Sequence, residues 1–264
     1  MQRRDFLAAS AAATTVAASQ QLVASAQAAA GDARQYCEWR TYRLKSAEKQ
    51  ALLEKYLQAA AIPAWGRMGL GPVGVFKEIA GEGAANPGPG IHVLLIYPTI
   101  DKFGAERTTL ERDGEYQKNA VEYLAAAKSD AAFERMDSWL MISFEGMPKP
   151  AAPAKKPRVC ELRTYESHSE ERARKKIDMF NAGEIEIFRK CGFETVFFGE
   201  SLIGANLPHL KYMLAAPDLA ANAEGWGKFR SHPDWAAMKD LPEYKDTVTK
   251  VSRIYLEPTA YSQV

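Results

Sequence analysis

The 264-residue sequence lacks most of the short signatures from which a reaction can be inferred. It contains neither a G-x-S-x-G nucleophile motif nor a phosphate-binding P-loop. The glycine-rich segment 69–74 follows a predicted helix and precedes a predicted strand, so we interpret it as a turn. The four histidines do not have the spacing of metal ligands; they are His92, His168, His209 and His232. We therefore predict no metal site and no cofactor, and the sequence leaves open whether the protein is an enzyme.

The sequence is also poor in cysteine and has almost no net charge. Its three cysteines, Cys37, Cys160 and Cys191, form no C-x-x-C pair, so we expect buried apolar residues rather than a zinc site. The formal net charge is +1, and lysine and arginine do not cluster in blocks. Proteins that bind nucleic acid or anionic lipid usually carry a basic patch. The composition therefore predicts neither kind of partner, while the apolar fraction of 47% suffices for hydrophobic cores.

Residues 1–30 have the pattern of an export signal rather than of a folded segment. Arg3 and Arg4 precede a Phe-Leu pair, and an alanine-rich run with small-residue cleavage patterns follows near residues 24–28. The pattern resembles the twin-arginine class of signals and predicts a periplasmic or extracellular protein. The apolar run is too short to span a bilayer, so we expect no membrane insertion after signal removal. The alternative is an alanine-rich amphipathic or disordered N-terminus.

The rest of the chain contains an internal repeat. Residues 36–42 (YCEWRTY) reappear as residues 159–165 (VCELRTY), at an offset of 123. Beyond a Gly/Pro loop of unequal length, His92 aligns with His209 at an offset of 117. Several ordered matches with one loop-sized gap indicate two copies of one module.

A proline-rich segment separates the two copies. It has four prolines and no large apolar side chain after Met147, which is typical of a stiff, extended linker. We predict four segments: a signal peptide at 1–30, a divergent first module at 31–146, a linker at 147–157 and a second module at 158–264.

Each copy shows the element order β-α-β-β-α-β, the ferredoxin-like motif. Its four-stranded sheet has one face covered by helices and one face open. Two such modules can bury their open faces against each other, so we predict an α+β fold in which two ferredoxin-like modules pack as a dimeric α+β barrel. The sequence leaves open whether the modules pair within one chain or in a homodimer.

Alternation along the first strand of each copy separates an apolar face from a polar one. We expect Cys37 and Trp39, with Cys160 and Leu162, to face the helices, and the polar set to face the interior between the sheets. Buried charges must be paired or bind a ligand, so the interior is either a salt-bridged core or a ligand cavity. The candidate lining residues are Glu38, Arg40, Tyr42, His92, Glu161, Arg163, Tyr165, His209, Lys211, Arg253 and Tyr255.

The second copy resembles the NIPSNAP family of the dimeric α+β barrel superfamily. The resemblance covers residues 158–263 and is weaker over 35–147, where the segment 101–136 departs from the family pattern. It is carried by the segments Glu161-Leu-Arg-Thr-Tyr165, Phe197-Phe-Gly199, Lys211-Tyr-Met-Leu, Trp226 to Trp235 and Pro258 to Tyr261-Ser. The resemblance implies the barrel fold, but no agreed catalytic residues that could be transferred to this chain.

Three functional hypotheses follow. The first is a small-molecule binding module that uses the interior between the sheets. The second is an oxygenase- or isomerase-type enzyme in which Tyr165, His209 or Arg163 polarises the substrate and His209 acts as a base. The third is an interaction module whose barrel is purely structural. Because the second copy keeps the family pattern more closely, we expect any site to be weighted toward its residues.

Overall fold

The computed structural model describes residues 34–81, 88–154 and 157–264, of which Gln35–Val264 form one compact unit. The predicted signal at residues 1–30 lies outside the described residues and stays a prediction, as do the segment boundaries proposed from the sequence. No helix in the described ranges is long and apolar enough to cross a membrane.

Eight strands of the described chain form a single antiparallel sheet. The first module supplies the first four and the second module the last four. In chain order they are β1 (Tyr36–Arg43), β2 (Gly74–Ile79), β3 (Gly90–Tyr97), β4 (Arg135–Ser143), β5 (Val159–Glu166), β6 (Glu194–Ile203), β7 (His209–Ala216) and β8 (Lys250–Pro258).

The helices lie between consecutive strands in the β-α-β-β-α-β order that the sequence predicts. The first helix of each module is interrupted by a π-helical turn. Helix α1 comprises Ala47–Tyr56, the π turn Leu57–Ala61 and Ile62–Arg67; α2 is Ile100–Arg112 and α3 is Gly114–Leu124. Helix α4 comprises Glu170–Met179, the π turn Phe180–Glu184 and Ile185–Lys190; α5 is Leu219–Ser231 and α6 is Pro233–Met238.

The sheet closes on itself as a barrel with the strand order β1-β3-β2-β8-β5-β7-β6-β4. Each module contributes one ferredoxin-like sheet, and two strand pairs join the modules. β2 pairs with β8 and β4 pairs with β6, both antiparallel. The predicted fold of two modules packed as an α+β barrel is therefore confirmed, and it closes within a single chain.

The interior of the barrel is apolar, which contradicts the predicted orientation of the strand faces. One hydrophobic cluster combines both modules; its buried members include Cys37, Trp39, Phe76, Leu94, Ile96, Met141, Cys160, Leu162, Phe197, Met213 and Leu256. The residues expected against the helices thus fill the barrel. Among the described residues, the predicted lining residues Glu38, Arg40, Tyr42, Glu161, Arg163 and Tyr165 lie instead under the helices.

The physical reason is that the helices supply polar partners and the opposite sheet does not. Glu106 of α2 contacts Arg40, and Trp226 of α5 contacts Glu161. Inside the barrel, the side chains of the facing sheet are mainly apolar. A charged side chain that pointed inward from these strand positions would therefore be buried without a partner. Alternation identifies the two faces of a strand but does not say which one will meet suitable partners.

The cysteine prediction is confirmed. Cys37, Cys160 and Cys191 are all buried and unpaired, and burial raises the pKa of the Cys37 thiol to about 12. Across residues 34–81, 88–154 and 157–264, no group of three or more His, Cys, Asp or Glu side chains is placed to hold a metal ion.

Candidate functional site

In the first module, the Glu-Arg pair of the repeated strand is part of a closed polar network. Arg40 Nε and Nη2 donate to the two carboxylate oxygens of Glu38 at 2.7 and 2.6 Å, and Nη2 also contacts Glu106 Oε2 at 2.7 Å. Trp65 Nε1 donates to the other oxygen of Glu106 at 2.7 Å. The Tyr97 hydroxyl lies within 2.7 Å of both carboxylates. Each charge therefore has a partner, and the network leaves little capacity for a ligand.

The electrostatics of Glu38 agree with a structural role. Burial opposes its ionisation, but the charge and hydrogen bonds of Arg40, with a further hydrogen bond from Ser138, hold the pKa of Glu38 below its usual value. Glu38 therefore stays ionised and paired, as expected for a carboxylate that stabilises the fold rather than one that exchanges protons.

The second module repeats this arrangement with one carboxylate fewer. Glu161 is fully buried, and its Oε2 accepts from Trp226 Nε1 at 2.6 Å and from Asn222 Nδ2 at 3.0 Å. Arg163 Nε lies 2.8 Å from Glu161 Oε1, and its guanidinium stacks 3.8 Å from the centre of a Trp226 ring. In the described part of the chain no second carboxylate lies within 4 Å of Arg163. Its outer edge is directed toward Tyr165, whose hydroxyl it contacts at 3.1 Å.

A pocket of about 380 Å³ opens beside Arg163, between the sheet and the helices. We call it the second-module pocket. Its floor comes from β5, and its walls come from α4, α5, α6 and the start of β8. The lining residues are Arg163, Tyr165, Lys176, Glu184, Trp226, Phe229, Arg230, Trp235, Val248 and Val251.

A buried ion pair forms one wall of the second-module pocket. Lys176 Nζ lies 2.7 Å from Glu184 Oε2, and the two residues are only 5% and 2% exposed. Burial raises the pKa of Glu184 above its usual value, although the Lys176 charge opposes the shift. The π turn of α4 places Glu184 here, and Gly183 before it has a φ of +156°, a conformation that favours glycine. π turns within α-helices frequently mark functional sites.

The repeat shows that this ion pair is not needed for the fold. At the offset of 123, Lys176 and Glu184 correspond to Leu53 and Ala61 of α1. Both counterparts are fully buried in the first-module core, and α1 has the same π turn as α4. The same architecture is therefore built in the first module with two apolar side chains at these positions.

The second-module pocket gathers some of the sequence-predicted residues and leaves out others. Arg163 and Tyr165 line it, and Glu161 lies behind Arg163. Glu38, Arg40 and Tyr42 belong to the first module. The other eight lining residues are not among the sequence-predicted ones; they are Lys176, Glu184, Trp226, Phe229, Arg230, Trp235, Val248 and Val251. Comparison of the two copies position by position would have found Lys176 and Glu184, because their counterparts are apolar.

The two predicted histidines lie on the other face of the sheet. His92 Nε2 lies 2.8 Å from Glu78 and its Nδ1 3.1 Å from Thr41, on the interior face. His209 Nδ1 lies 3.0 Å from the Asn206 carbonyl, and burial together with the Lys211 charge lowers the pKa of His209 to about 4. Because His209 and Arg163 face opposite sides of the sheet, the prediction that both line one interior space is wrong.

The strand register also corrects how the copies align at the third strand. Thr41 is paired with His92, whereas the matching Thr164 is paired with Lys211. The counterpart of His92 is therefore Lys211 and not His209, so the offset here is 119 rather than 117. A slip of two residues keeps every side chain on its face, which is why the pattern of alternation could not reveal it.

The remaining two candidates lie at the junction of the modules on β8. Arg253 stacks 5.9 Å from the ring of Tyr255, and by register Arg253 and Tyr255 are partners of Arg163 and Glu161. Tyr255 is buried and is also paired with Ile79 of β2. The Arg253 and Tyr255 side chains therefore belong to the outer face of the sheet and not to the interior predicted for them, which is apolar.

Comparison with protein families supports the predicted resemblance for the second module. The NIPSNAP family model matches residues 160–263. No curated protein sequence matches the chain.

The solved structures with a similar fold include the following three. Two are described as "putative monooxygenase" proteins. The one from Fusobacterium nucleatum subsp. nucleatum ATCC 25586 has a TM-score of 0.53 and 11% identity, over 86% of this chain and 93% of its own. The one from Lactobacillus acidophilus NCFM has a TM-score of 0.52 and 12% identity, over 85% and 94%. A structure described as an anthrone oxidase-like protein has a TM-score of 0.52 and 9% identity, over 86% of this chain and 92% of its own. At these identities the likeness shows the fold alone.

The two arginines should differ in their effect on stability. Arg40→Met leaves the buried carboxylates of Glu38 and Glu106 without a counter-charge, and we expect a loss of about 3–5 kcal/mol in the free energy of unfolding. Arg163→Met leaves a single buried carboxylate, that of Glu161, without a counter-charge, so we expect a smaller loss, of about 3 kcal/mol. Urea unfolding at pH 7 measures both values, with the exposed Arg107→Met as the control. Equal losses of unfolding free energy in Arg40→Met and Arg163→Met would contradict the conclusion that only the first module has a closed polar network.

Proposed function

We propose that the protein binds a small organic molecule in the second-module pocket. The observation that carries this proposal is the buried Lys176–Glu184 pair, which faces the pocket where the first module has Leu53 and Ala61. Buried ion pairs are often no more stabilising than apolar residues of similar size. A charged pair retained where the fold does not need it therefore favours a role in recognition. The ligand would then lie between the sheet and the helices and not, as expected from the sequence, in the interior between the sheets.

The lining indicates the chemistry of the ligand. Trp226, Phe229 and Trp235 provide aromatic walls, and Arg163 and Arg230 provide positive charge. The volume of about 380 Å³ lies within the usual range of small-molecule sites. We expect a flat, aromatic ligand with a phenolic or acidic oxygen that faces Arg163, because guanidinium groups bind such oxygens well and stack on aromatic rings.

Ligand retention tests the proposal. Native mass spectrometry of the purified protein should show a bound small molecule that is lost on denaturation, and 1-anilinonaphthalene-8-sulfonate, an aromatic anion, should bind in competition with it. Arg163→Lys and Trp235→Ala should each weaken binding of this probe at least about tenfold, because they remove the planar donor fork and one aromatic wall. The matched control is the exposed Arg107→Lys. Probe affinities that are the same in all four proteins would contradict the proposal.

A second candidate function is proton-transfer catalysis in the same pocket. Glu184 supports it, because a buried carboxylate with a raised pKa beside a pocket suits a general base. The likeness to an anthrone oxidase-like protein suggests a test substrate for a cofactor-free oxygenase. In such a reaction the base would remove a proton from a CH2 group of the substrate, and dioxygen, the oxidant, would add to the resulting carbanion to give a hydroperoxide. Loss of water from the hydroperoxide would then leave a carbonyl group that keeps one oxygen atom.

Oxygen uptake with anthrone tests this candidate. We expect uptake that depends on the protein and rises with pH as Glu184 ionises. Glu184→Gln should lower the rate by about 10²-fold or more, since it removes the base. The exposed Glu186→Gln, two residues further along the helix, is the matched control. Uptake no faster than in buffer, or an unchanged rate in Glu184→Gln, would eliminate catalysis of this type by Glu184.

We also propose that the protein is exported through a twin-arginine signal. The Arg3-Arg4 pair, the Phe-Leu pair and the alanine-rich run support this. Replacing both arginines with lysine should retain the protein in the cytoplasm of a Gram-negative host, because the signal is recognised by a receptor and not by its charge alone. Cell fractionation measures the distribution. A variant that reaches the periplasm as efficiently as the parent would contradict a twin-arginine route.

A further inference from the structure

A separate cavity of about 170 Å³ opens into one end of the barrel, on the face of the sheet opposite the second-module pocket. We call it the mouth cavity. It lies above the apolar interior, where the strands change from apolar to polar side chains. The residues that matter here are Trp39, Thr41, Trp139, Thr164, Lys211 and Ser252.

Lys211 is a buried cation without a nearby counter-ion. It is 7% exposed, and its Nζ donates to Thr164 Oγ1 at 2.8 Å and lies 4.5 Å from the centre of the Trp139 ring. In the described part of the chain no carboxylate oxygen lies within 4 Å of Lys211 Nζ. By contrast, Arg163 and Lys176 each have a carboxylate within 2.8 Å.

The repeat shows which carboxylate is missing. The counterpart of Lys211 in the first module is His92, which is bound at 2.8 Å by Glu78 of β2. At the offset of 123, Glu78 corresponds to Ser201 of β6. Ser201 pairs with Met141, whose side chain lies inside the barrel, so the Ser201 side chain also faces the interior. Its hydroxyl is buried and has no hydrogen-bond partner among the described residues.

The other charged groups around the cavity do not replace that carboxylate. Glu166 lies two residues beyond Thr164 and therefore on the same face, and it is paired with Lys250 at 3.2 Å. His209 on β7 is held neutral, and Arg253 on β8, whose side chain stacks on Tyr255 at the outer face, supplies no negative charge. Across the barrel, Glu78 is paired with His92. Asp137 of β4 is paired with Arg43 and Arg135.

We propose that the mouth cavity binds a small aromatic monocarboxylate, with its carboxylate on Lys211 and its ring against Trp39 and Trp139. The carboxylate would supply the negative charge that Glu78 gives to His92 in the first module. Thr41 and Thr164 offer hydroxyl donors beside it. The cavity volume equals that of about six water molecules in the liquid. This limits the ligand to roughly the size of a six-membered ring with one carboxylate.

Protonation of Lys211 must then be coupled to binding. Burial lowers the pKa of Lys211 to about 8, and the charge of Glu166 only partly opposes this shift. A bound carboxylate favours the ammonium form and raises this pKa, so binding takes up a proton at alkaline pH. Affinity is therefore highest below about pH 8 and falls as the pH rises above it.

Titration calorimetry with benzoate and with benzamide, its neutral analogue of the same shape, tests the proposal. Benzoate should bind and benzamide should not. Between pH 8 and 10 the affinity for benzoate should decrease with rising pH, with a slope that approaches tenfold per pH unit. Lys211→Met should weaken benzoate binding at least about tenfold. The exposed Lys228→Met is the matched control.

A second pair of variants keeps Lys211 in place. Ser201→Glu restores the carboxylate that the first module has, so this carboxylate should pair with Lys211 and abolish benzoate binding. Ser201→Gln introduces a side chain of the same size without the charge, so it should weaken benzoate binding less than Ser201→Glu does. Thermal melts confirm folding. Benzoate binding that is equal in the parent, Lys211→Met and Ser201→Glu would overturn the proposal, as would equal affinities for benzoate and benzamide.

Discussion

Closure of the two sheets into one barrel is the constraint on which the rest of the structure depends. The pairs β2–β8 and β4–β6 leave each module without a free sheet edge, and they bring the inner faces of both sheets together. The space inside is then filled by large apolar side chains such as Trp39 and Phe197. The charged residues of the repeated strand must therefore lie on the outer face, under the helices, where Glu106 and Trp226 can contact them.

The duplication provides an internal comparison that a single module would not. Both copies build the same strands and the same π turn, so differences between them at matched positions are not required by the architecture. The first module pairs its buried charges or replaces them with apolar residues. The second module adds the Lys176–Glu184 pair on the helix side and removes the acidic partner of Lys211 on the interior side. Both changes place charge next to empty volume.

The sequence was sufficient for the fold but not for the site, and the reasons are physical. Period-two alternation on β1 and β5 predicts the strands and their two faces, and the repeat predicts the barrel. Alternation does not reveal that Glu106, some 66 residues from Arg40, will satisfy the polar face. It also could not place His92 opposite Thr41 and Lys211 opposite Thr164, since a two-residue slip leaves the pattern unchanged.

Position on opposite faces of the same strands also separates the two candidate sites chemically. On β5, Arg163 and Tyr165 face the helices while Thr164 between them faces the interior. The helix side offers both signs of charge and suits a ligand with donor and acceptor groups. The interior side offers a cation, hydroxyl groups and indole rings, which suits an anion. A ligand bound at either proposed site would bind the folded state selectively and so raise its stability. Under both proposals, the charges of the second module stabilise the liganded form of the protein rather than the unliganded one.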